Sequence, residues 1–412
     1  MLRIPLSKQH TLKILQLIRS SGSISRSEVV DKTGDSPFLI SKVCDELLEG
    51  GFLSEAGRGD STGGRRPTLL SLRPDFGRLV GVHLGTFNVR IALTDFQGNL
   101  IAYVKDRSHA AEGPEAALRH LTELIDRMLE GQGLTPADLN GIGIGISGVL
   151  ERRTGTTLYW PKLPRWINVP VKTTLEERYK TQVALEDTSR TRALAEFWFG
   201  GCNNAKHFIF IAIGAGTGAA LFLNGSLYFG VGGFAGEFGH ISVAANGPIC
   251  SCGNRGCLET LVSASVLLRK ARHALSIGAS ETLLRIAQGN SQNVTLEMLA
   301  QATREGDRFT RRMLSEMGAY LGQGIVGLVN LLNPELIVLG GGVASAVGEL
   351  ILPEVERVVR ESAMIQSVNQ VQLRISTLEE KDWALGAMLL VAEEALANSF
   401  MNWDKAARAH SA

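Results

Sequence analysis

Apolar residues repeat at helical spacing through the first fifty residues of this chain and at strand spacing from Arg78 onward. Leu12, Leu15 and Ile18 make the stripe of a first helix that ends near Ser21-Gly22. Ser25-Arg26-Ser27-Glu28 then reads as a capping box, in which a hydroxyl and a carboxylate three residues on satisfy each other's free amides. That second helix stops at Gly34. Ser36 before Pro37 opens a third, since proline at the first helical position lacks only an N–H that has no helical partner there. Ile40, Val43, Leu47 and Leu48 are its expected buried stripe, and Gly50-Gly51 ends it. Two short runs, "FLSEA" and "TLLSL", flank the loop "GRGDSTGGRRP". Three short helices and a hairpin predict a winged helix-turn-helix over residues 1–74.

From Arg78 apolar strands alternate with helices, which predicts an α/β fold. "RLVGVHLG", "NVRIALTD" and "LIAYVKD" read as successive strands, Pro114 to Glu130 as a helix, and "GIGIGISG" and "QVALED" as fourth and fifth strands. The opening motif then recurs as "HFIFIAIGAGTGAALFLNGSLYFG", again strand, glycine turn, strand. A doubled unit predicts two similar lobes, residues 75–200 and 201–380, with a ligand cleft between them. A C-terminal helix over about residues 381–398 is expected to pack back on the first lobe.

Composition narrows the function. A content of 44% hydrophobic and 20% charged residues is that of a soluble globular protein. The net charge of +1 gives no whole-protein field toward nucleic acid or membrane, so such contacts must be local. Met1 to Ser20 mixes basic residues into its apolar ones and does not read as a secretory signal. The run Phe208 to Leu223 is broken by Gly214, Gly216 and Gly218 and is too short to span a bilayer. A cytoplasmic protein with no membrane contact is the expectation.

Three of the five cysteines crowd into one segment. His240, Cys250, Cys252 and Cys257 supply one imidazole and three thiolates, a closed tetrahedral set for one structural Zn²⁺ with no position left for a catalytic water. Its expected task is to hold Glu237, His240 and Glu259 in place. In the N-terminal region, the exposed positions at the start of the third helix are Ser36, Phe38, Leu39, Ser41 and Lys42, where a recognition helix meets base edges. Arg58, Arg65 and Arg66 in the wing suit phosphates or a minor groove. Residues 1–74 hold 11 basic against 8 acidic side chains, so useful affinity should require a homodimer or tetramer on an inverted-repeat operator.

These residues resemble the ROK family (repressors, open reading frames, kinases), whose members share a two-lobed, actin-like and ribonuclease-H-like sugar-kinase fold. The most specific element is the Glu237–His240 segment followed by Cys-x-Cys-Gly-x-x-Gly-Cys-x-Glu ending at Glu259. "STGGRRP" resembles the wing of the family's regulators, and "NPELIVLGGGV", Asn333 to Val343, a nucleotide-side motif. The resemblance implies that Asp187 stands where the kinases carry their catalytic base, with Glu186 in place of the usual Asn; by itself Asp187 serves equally as a helix N-cap. Where the kinases carry an Asp-x-Gly-Gly-Thr turn, this chain has His83-Leu84-Gly85-Thr86-Phe87, lacking the carboxylate near Mg²⁺. The implied function is a repressor of carbohydrate-use genes with an inactive kinase-like domain. Its effector, a sugar or sugar phosphate, would meet Asp187, Glu237, His240, Glu259 and Asn224. An ATP-dependent sugar kinase with an accessory DNA-binding domain is the alternative.

Overall fold

A computed structural model describes residues 6–60, 66–75, 77–161 and 163–410. Its contacts divide the chain into two units, Met1–Thr191 with Glu380–Ala412, and Arg192–Glu379.

The first unit begins with helices α1 (Leu6–Ser21), α2 (Arg26–Thr33) and α3 (Pro37–Glu49) and strands β1 (Ile24–Ser25), β2 (Leu53–Arg58) and β3 (Thr68–Leu72). The capping box forms: the Ser25 N–H donates to Glu28 Oε2 at 2.9 Å, and the Glu28 N–H to Ser25 Oγ at 3.3 Å. Gly34 ends α2 in the left-handed region at φ 74°, and Ser36 Oγ accepts the Leu39 N–H at the head of α3. The inward stripe of α3 is Ile40, Val43, Cys44 and Leu47, so Cys44 and not Leu48 completes it. The hairpin gains a third strand, because β1 pairs antiparallel with β3 in the order β1-β3-β2. Two residues are too few to show a strand period, so no sequence pattern announced it.

Beyond a five-residue connection come β4 (Arg78–Leu84), β5 (Asn88–Thr94), β6 (Leu100–Arg107), α4 (Pro114–Glu130) and β7 (Leu139–Ile146). They are followed by a small meander of β8 (Val149–Glu151), β9 (Thr156–Trp160) and β10 (Leu163–Val169), then α5 (Val171–Tyr179), β11 (Val183–Asp187) and α6 (Thr188–Trp198). The central sheet runs β11-β7-β4-β5-β6, with β4, β7 and β11 parallel and β4-β5-β6 an antiparallel meander. Its α4 face buries Val80, Val82, Leu84, Ile142 and Ile144.

The second unit repeats this connectivity. Its strands are β12 (Phe208–Ile213), β13 (Thr217–Leu223), β14 (Ser226–Tyr228), β15 (Leu336–Gly340) and β16 (Gln372–Ile375), with helices α7 (Glu259–Val262), α8 (Ala264–Ser276), α9 (Glu281–Ile286), α10 (Leu296–Arg304), α11 (Arg308–Leu332), α12 (Gly342–Ser362) and α13 (Ile365–Val368). The sheet order is β14-β13-β12-β15-β16: again a meander of the first three strands, followed by two parallel ones. One face packs on α11 and α12; on the other, Phe208 and Phe222 stack at 4.4 Å.

The last helix, α14 (Glu380–His410), belongs to the first unit. It lies on the sheet face opposite α4, so close that a Cβ at Gly81 would sit 2.0 Å from the Ala384 carbonyl oxygen, and one at Gly143 1.9 Å from that of Ala387. Only glycine admits the helix backbone at this depth. By length and composition Glu380–Asn402 is apolar enough to cross a membrane, but 61% of its apolar window is buried inside the protein.

Candidate functional site

The second unit builds its site from one loop. A single 3-10 turn, Phe238–His240, leads into a tight loop that returns to α7. The Val243 N–H donates to Gly256 O at 3.0 Å, and the Gly256 N–H to Pro248 O at 2.9 Å. Gly256 has φ 67°, and a Cβ there would lie 1.7 Å from the Ala244 carbonyl oxygen, so glycine is required. The fold gathers His240, Cys250, Cys252 and Cys257 with their ligand atoms all within 4.8 Å of one another. His240 Nδ1 is 3.5 Å from Cys250 Sγ, and Cys252 Sγ 3.6 Å from Cys257 Sγ. Zn–S bonds of about 2.3 Å and a Zn–N bond of about 2.0 Å require S···S edges of about 3.8 Å and S···N edges of about 3.5 Å, so the four atoms fit a tetrahedral metal. Burial and the neighbouring sulfurs push the Cys257 thiol up to about 12, the penalty a bound cation would remove.

The same loop positions the two acidic residues. With His240 Nδ1 on the cysteine side, Nε2 lies 3.9 Å from Glu237 Oε2. A metal on Nδ1 would fix the proton on Nε2, making that edge a donor. Glu259, two residues beyond Cys257, accepts the Thr217 N–H at 2.9 Å, and the Ala264 N–H donates to Gly214 O at 2.8 Å. The metal loop is thus tied to the turn Gly214-Ala215-Gly216 between β12 and β13, which no sequence signal announced.

Asn224 is placed elsewhere. With Gly225 it forms the two-residue turn of the β13–β14 hairpin, at φ 54° and 74°. Both values lie in the left-handed region that an Asn-Gly pair tolerates. Seven residues of strand separate it from Thr217, about 23 Å at the rise of a β-strand. Asn224 is a turn residue and is not gathered with Glu237, His240 and Glu259.

In the first unit, Asp187 ends β11 half-buried, and its Oδ1 accepts the Ser189 N–H at 2.7 Å, the bond of a helix cap. Loss of solvent raises its pKa above the usual carboxylate value; the Ser189 N–H acts against this, and the nearby Glu186 adds to it. Glu186 itself is buried, held by Arg190 Nη1 at 2.8 Å and Arg152 Nε at 2.6 Å. This carboxylate is consumed by two guanidiniums, a partnership that sequence reasoning missed. The turn at Gly85 is closed by its N–H on Asn88 O at 3.0 Å. Phe87 projects from it 71% exposed, whereas His83 is buried with its ring 5.3 Å from that of Trp383 on α14. Arg90, opposite His83 in register, lies 4.6 Å over the same indole and pairs with Glu380 at 2.9 Å. Lys105 also reaches Glu380, at 2.5 Å.

On α3, Phe38 is 81% exposed and Lys42 is exposed, while Leu39 and Ser41 are half-buried and Ser36 is engaged as the cap. Arg58 and Arg66 are exposed; Arg65 lies outside the described residues.

The ROK family's sequence pattern matches residues 79–394. The chain belongs to the ROK family. A xylose repressor of Caldicellulosiruptor bescii is 32% identical over 391 residues, covering 95% of this chain and 97% of its own. A glucokinase of Thermotoga maritima is 30% identical over 316 residues, which is 98% of that enzyme but 77% of this chain. A solved structure of a ROK transcriptional regulator, a homologue of the Escherichia coli MLC protein, superposes with a TM-score of 0.79, covering 96% of this chain and 97% of that one at 24% identity. At that identity the likeness is one of fold. This ROK chain therefore has the two-sheet, sugar-kinase-like α/β architecture of its family.

Proposed function

We propose that this ROK protein is a sugar-responsive transcriptional repressor whose kinase-like domain binds its effector without phosphorylating it. One observation carries the reading: similarity to a repressor runs through the N-terminal segment, over 95% of the chain, whereas similarity to a glucokinase stops at 77%. In this reading α1–α3 and the β1-β3-β2 sheet are a winged helix-turn-helix. Phe38, Leu39, Ser41 and Lys42 face base edges, Arg58 and Arg66 face phosphates, and Arg65 is the third basic residue proposed for that contact. A cytoplasmic homodimer or tetramer would read an inverted repeat. A structural Zn²⁺ on His240, Cys250, Cys252 and Cys257 would present His240 Nε2, Glu237 and Glu259 to a sugar's hydroxyls, and in the first unit Asp187 is the candidate acceptor for a hydroxyl. The effector acts by binding one state of the protein better than another.

Selection from random DNA with the purified protein should yield an inverted repeat, and retention should change on adding D-xylose, D-glucose or another sugar of a panel. Failure to enrich any DNA would overturn the reading. A second reading, a sugar kinase, draws on Asp187 at the end of β11 and the glycine turn at Gly214. The same sugar panel with ATP and Mg²⁺ tests it: we expect binding without sugar-dependent ADP release.

A further inference from the structure

Among the described residues, three contacts tie the N-terminal segment to the rest of the first unit besides the chain connection. Phe52, at the junction of α3 and β2, packs edge-to-face on Phe400 of α14 with centroids 5.7 Å apart, and both rings are buried. Arg19, buried near the end of α1, has its guanidinium 4.0 Å from Glu393 of α14. Gln97, in the β5–β6 turn, donates from Nε2 to Gly22 O and to Leu72 O, both at 3.2 Å, and so bridges the end of α1 and the end of β3. One contact would leave the segment free to swivel, and two would leave a hinge. Attachments from two elements onto α1, the α3–β2 junction and β3 leave neither. The connection is also braced, since Arg78 Nη1 donates to Pro74 O at 2.7 Å.

The strut is itself fixed between Glu380 and Phe400. The Arg90–Glu380 pair and the His83–Trp383 contact hold its start. Its second and third turns are seated on Gly81 and Gly143, and Gln182 Nε2 donates to Val391 O at 3.1 Å. About two thirds of the way along, beside Phe400, Asn140 Nδ2 donates to Ser399 Oγ at 3.2 Å. Seventeen residues, about 26 Å of helix, separate Trp383 from Phe400. An element with so many backbone-level seats moves with its sheet or not at all.

We propose that the N-terminal segment is bolted to the first unit, with α14 as strut and Phe400 and Gln97 as pins. An effector then reorients the segment only by turning the whole unit, never by releasing a loose head. This rests on the repressor reading and adds a consequence: the spacing between operator half-sites is fixed by the protein and not tolerated by a tether. Each inserted base pair moves one half-site by about 3.4 Å and a tenth of a helical turn.

The test uses the full chain. Wild type should lose at least tenfold in affinity when one base pair is added between the half-sites of its selected repeat. In Gln97→Ala and Phe400→Ala that loss should shrink below threefold, with single-half-site binding kept, which separates undocking from unfolding. Phe400→Leu should restore most of the discrimination. Without DNA, amide exchange in residues 14–25 and 52–58 should rise at least tenfold in both alanine variants, with α11 unchanged. A wild type indifferent to spacing, or both alanine variants keeping wild-type spacing preference and exchange, would overturn the proposal. If wild type selects no DNA, the repressor reading falls, and the exchange measurement still decides whether the segment is bolted.

Discussion

The two units carry the same five-stranded connectivity and a glycine turn between their first two strands; both turns are tied through their backbones, the first by Ser108 on Thr86 O and Phe87 O, yet what else supports them differs. At Gly85 the turn is backed by side chains packed from afar: His83 on Trp383, Arg90 over that indole and onto Glu380. At Gly214 it is held through its backbone, by Glu259 on the Thr217 N–H and the Ala264 N–H on Gly214 O, from a loop organised around four metal-type ligands. A doubled fold can thus give one copy of a turn to side-chain packing and the other to a loop with a metal-type ligand set. Exchanging a carboxylate for His83 suits the first use, because a ring buried against an indole gains apolar contact that a carboxylate would forfeit.

The largest effect should follow from removing the metal. Cys257→Ser, or treatment with a strong chelator, should abolish the sugar-induced thermal shift and lower the melting temperature by several degrees, since a structural metal contributes its binding free energy to folding. Amide exchange around Gly214–Thr217 should rise while exchange around Gly85–Val89 stays as it was. Equal loosening of both turns would dissolve the contrast between the units. Metal analysis of untreated protein should give about one zinc per chain, the capacity of one four-ligand site.

Trp383→Ala is the mirror experiment and should rank second. Truncating a buried tryptophan costs about 3 kcal/mol through lost contacts and an unfilled cavity. The damage should fall on the first unit, with faster exchange at Gly85–Val89 and over the first turns of α14. Zinc content should not change, and Trp383→Phe should recover roughly half the loss. A reduced zinc content in Trp383→Ala would show that the two turns are not independently supported.

What could be read ahead of the structure depended on how far along the chain the cause lay. The capping box at Ser25–Glu28, the proline start of α3 and the metal quartet are local, and their spacing alone implies their geometry. The doubling was legible because both copies carry strand, glycine turn and strand in the same order. Asn224 was misassigned because an Asn-Gly pair is demanded by a tight hairpin just as readily as a polar residue is by a ligand. The remainder was invisible because its partners lie far along the chain: His83 meets a partner 300 residues away, and Glu186, at the end of β11, takes Arg152 from 34 residues upstream as well as the nearby Arg190. Two residues of β1 hold too little pattern to announce a strand.

The smallest effect expected sharpens the comparison at Asp187, where the first unit places a carboxylate at the end of a strand. Burial raises the Asp187 pKa above the ordinary aspartate value, so the ionised form is disfavoured in the folded protein. For a raised pKa the sign is definite: the group favours folding below its unfolded pKa, and that contribution is lost as pH rises through the folded-state value. At neutral pH the charge on Asp187 is therefore a cost to stability. Asp187→Asn keeps an oxygen for the Ser189 N–H and removes that cost, so the sugar-free variant should melt slightly above wild type. The difference should shrink as the buffer is taken from neutral toward the acid range. Sugar affinity should move the other way, falling about tenfold, the value of roughly 1.4 kcal/mol for one charge-assisted hydrogen bond to a hydroxyl. Differential scanning fluorimetry across pH and calorimetric titration with the best sugar of the panel measure the two changes. If Asp187→Asn were destabilising at neutral pH, or bound sugar as wild type does, Asp187 would be only the cap of α6, and the first unit would keep nothing for the effector at that strand end.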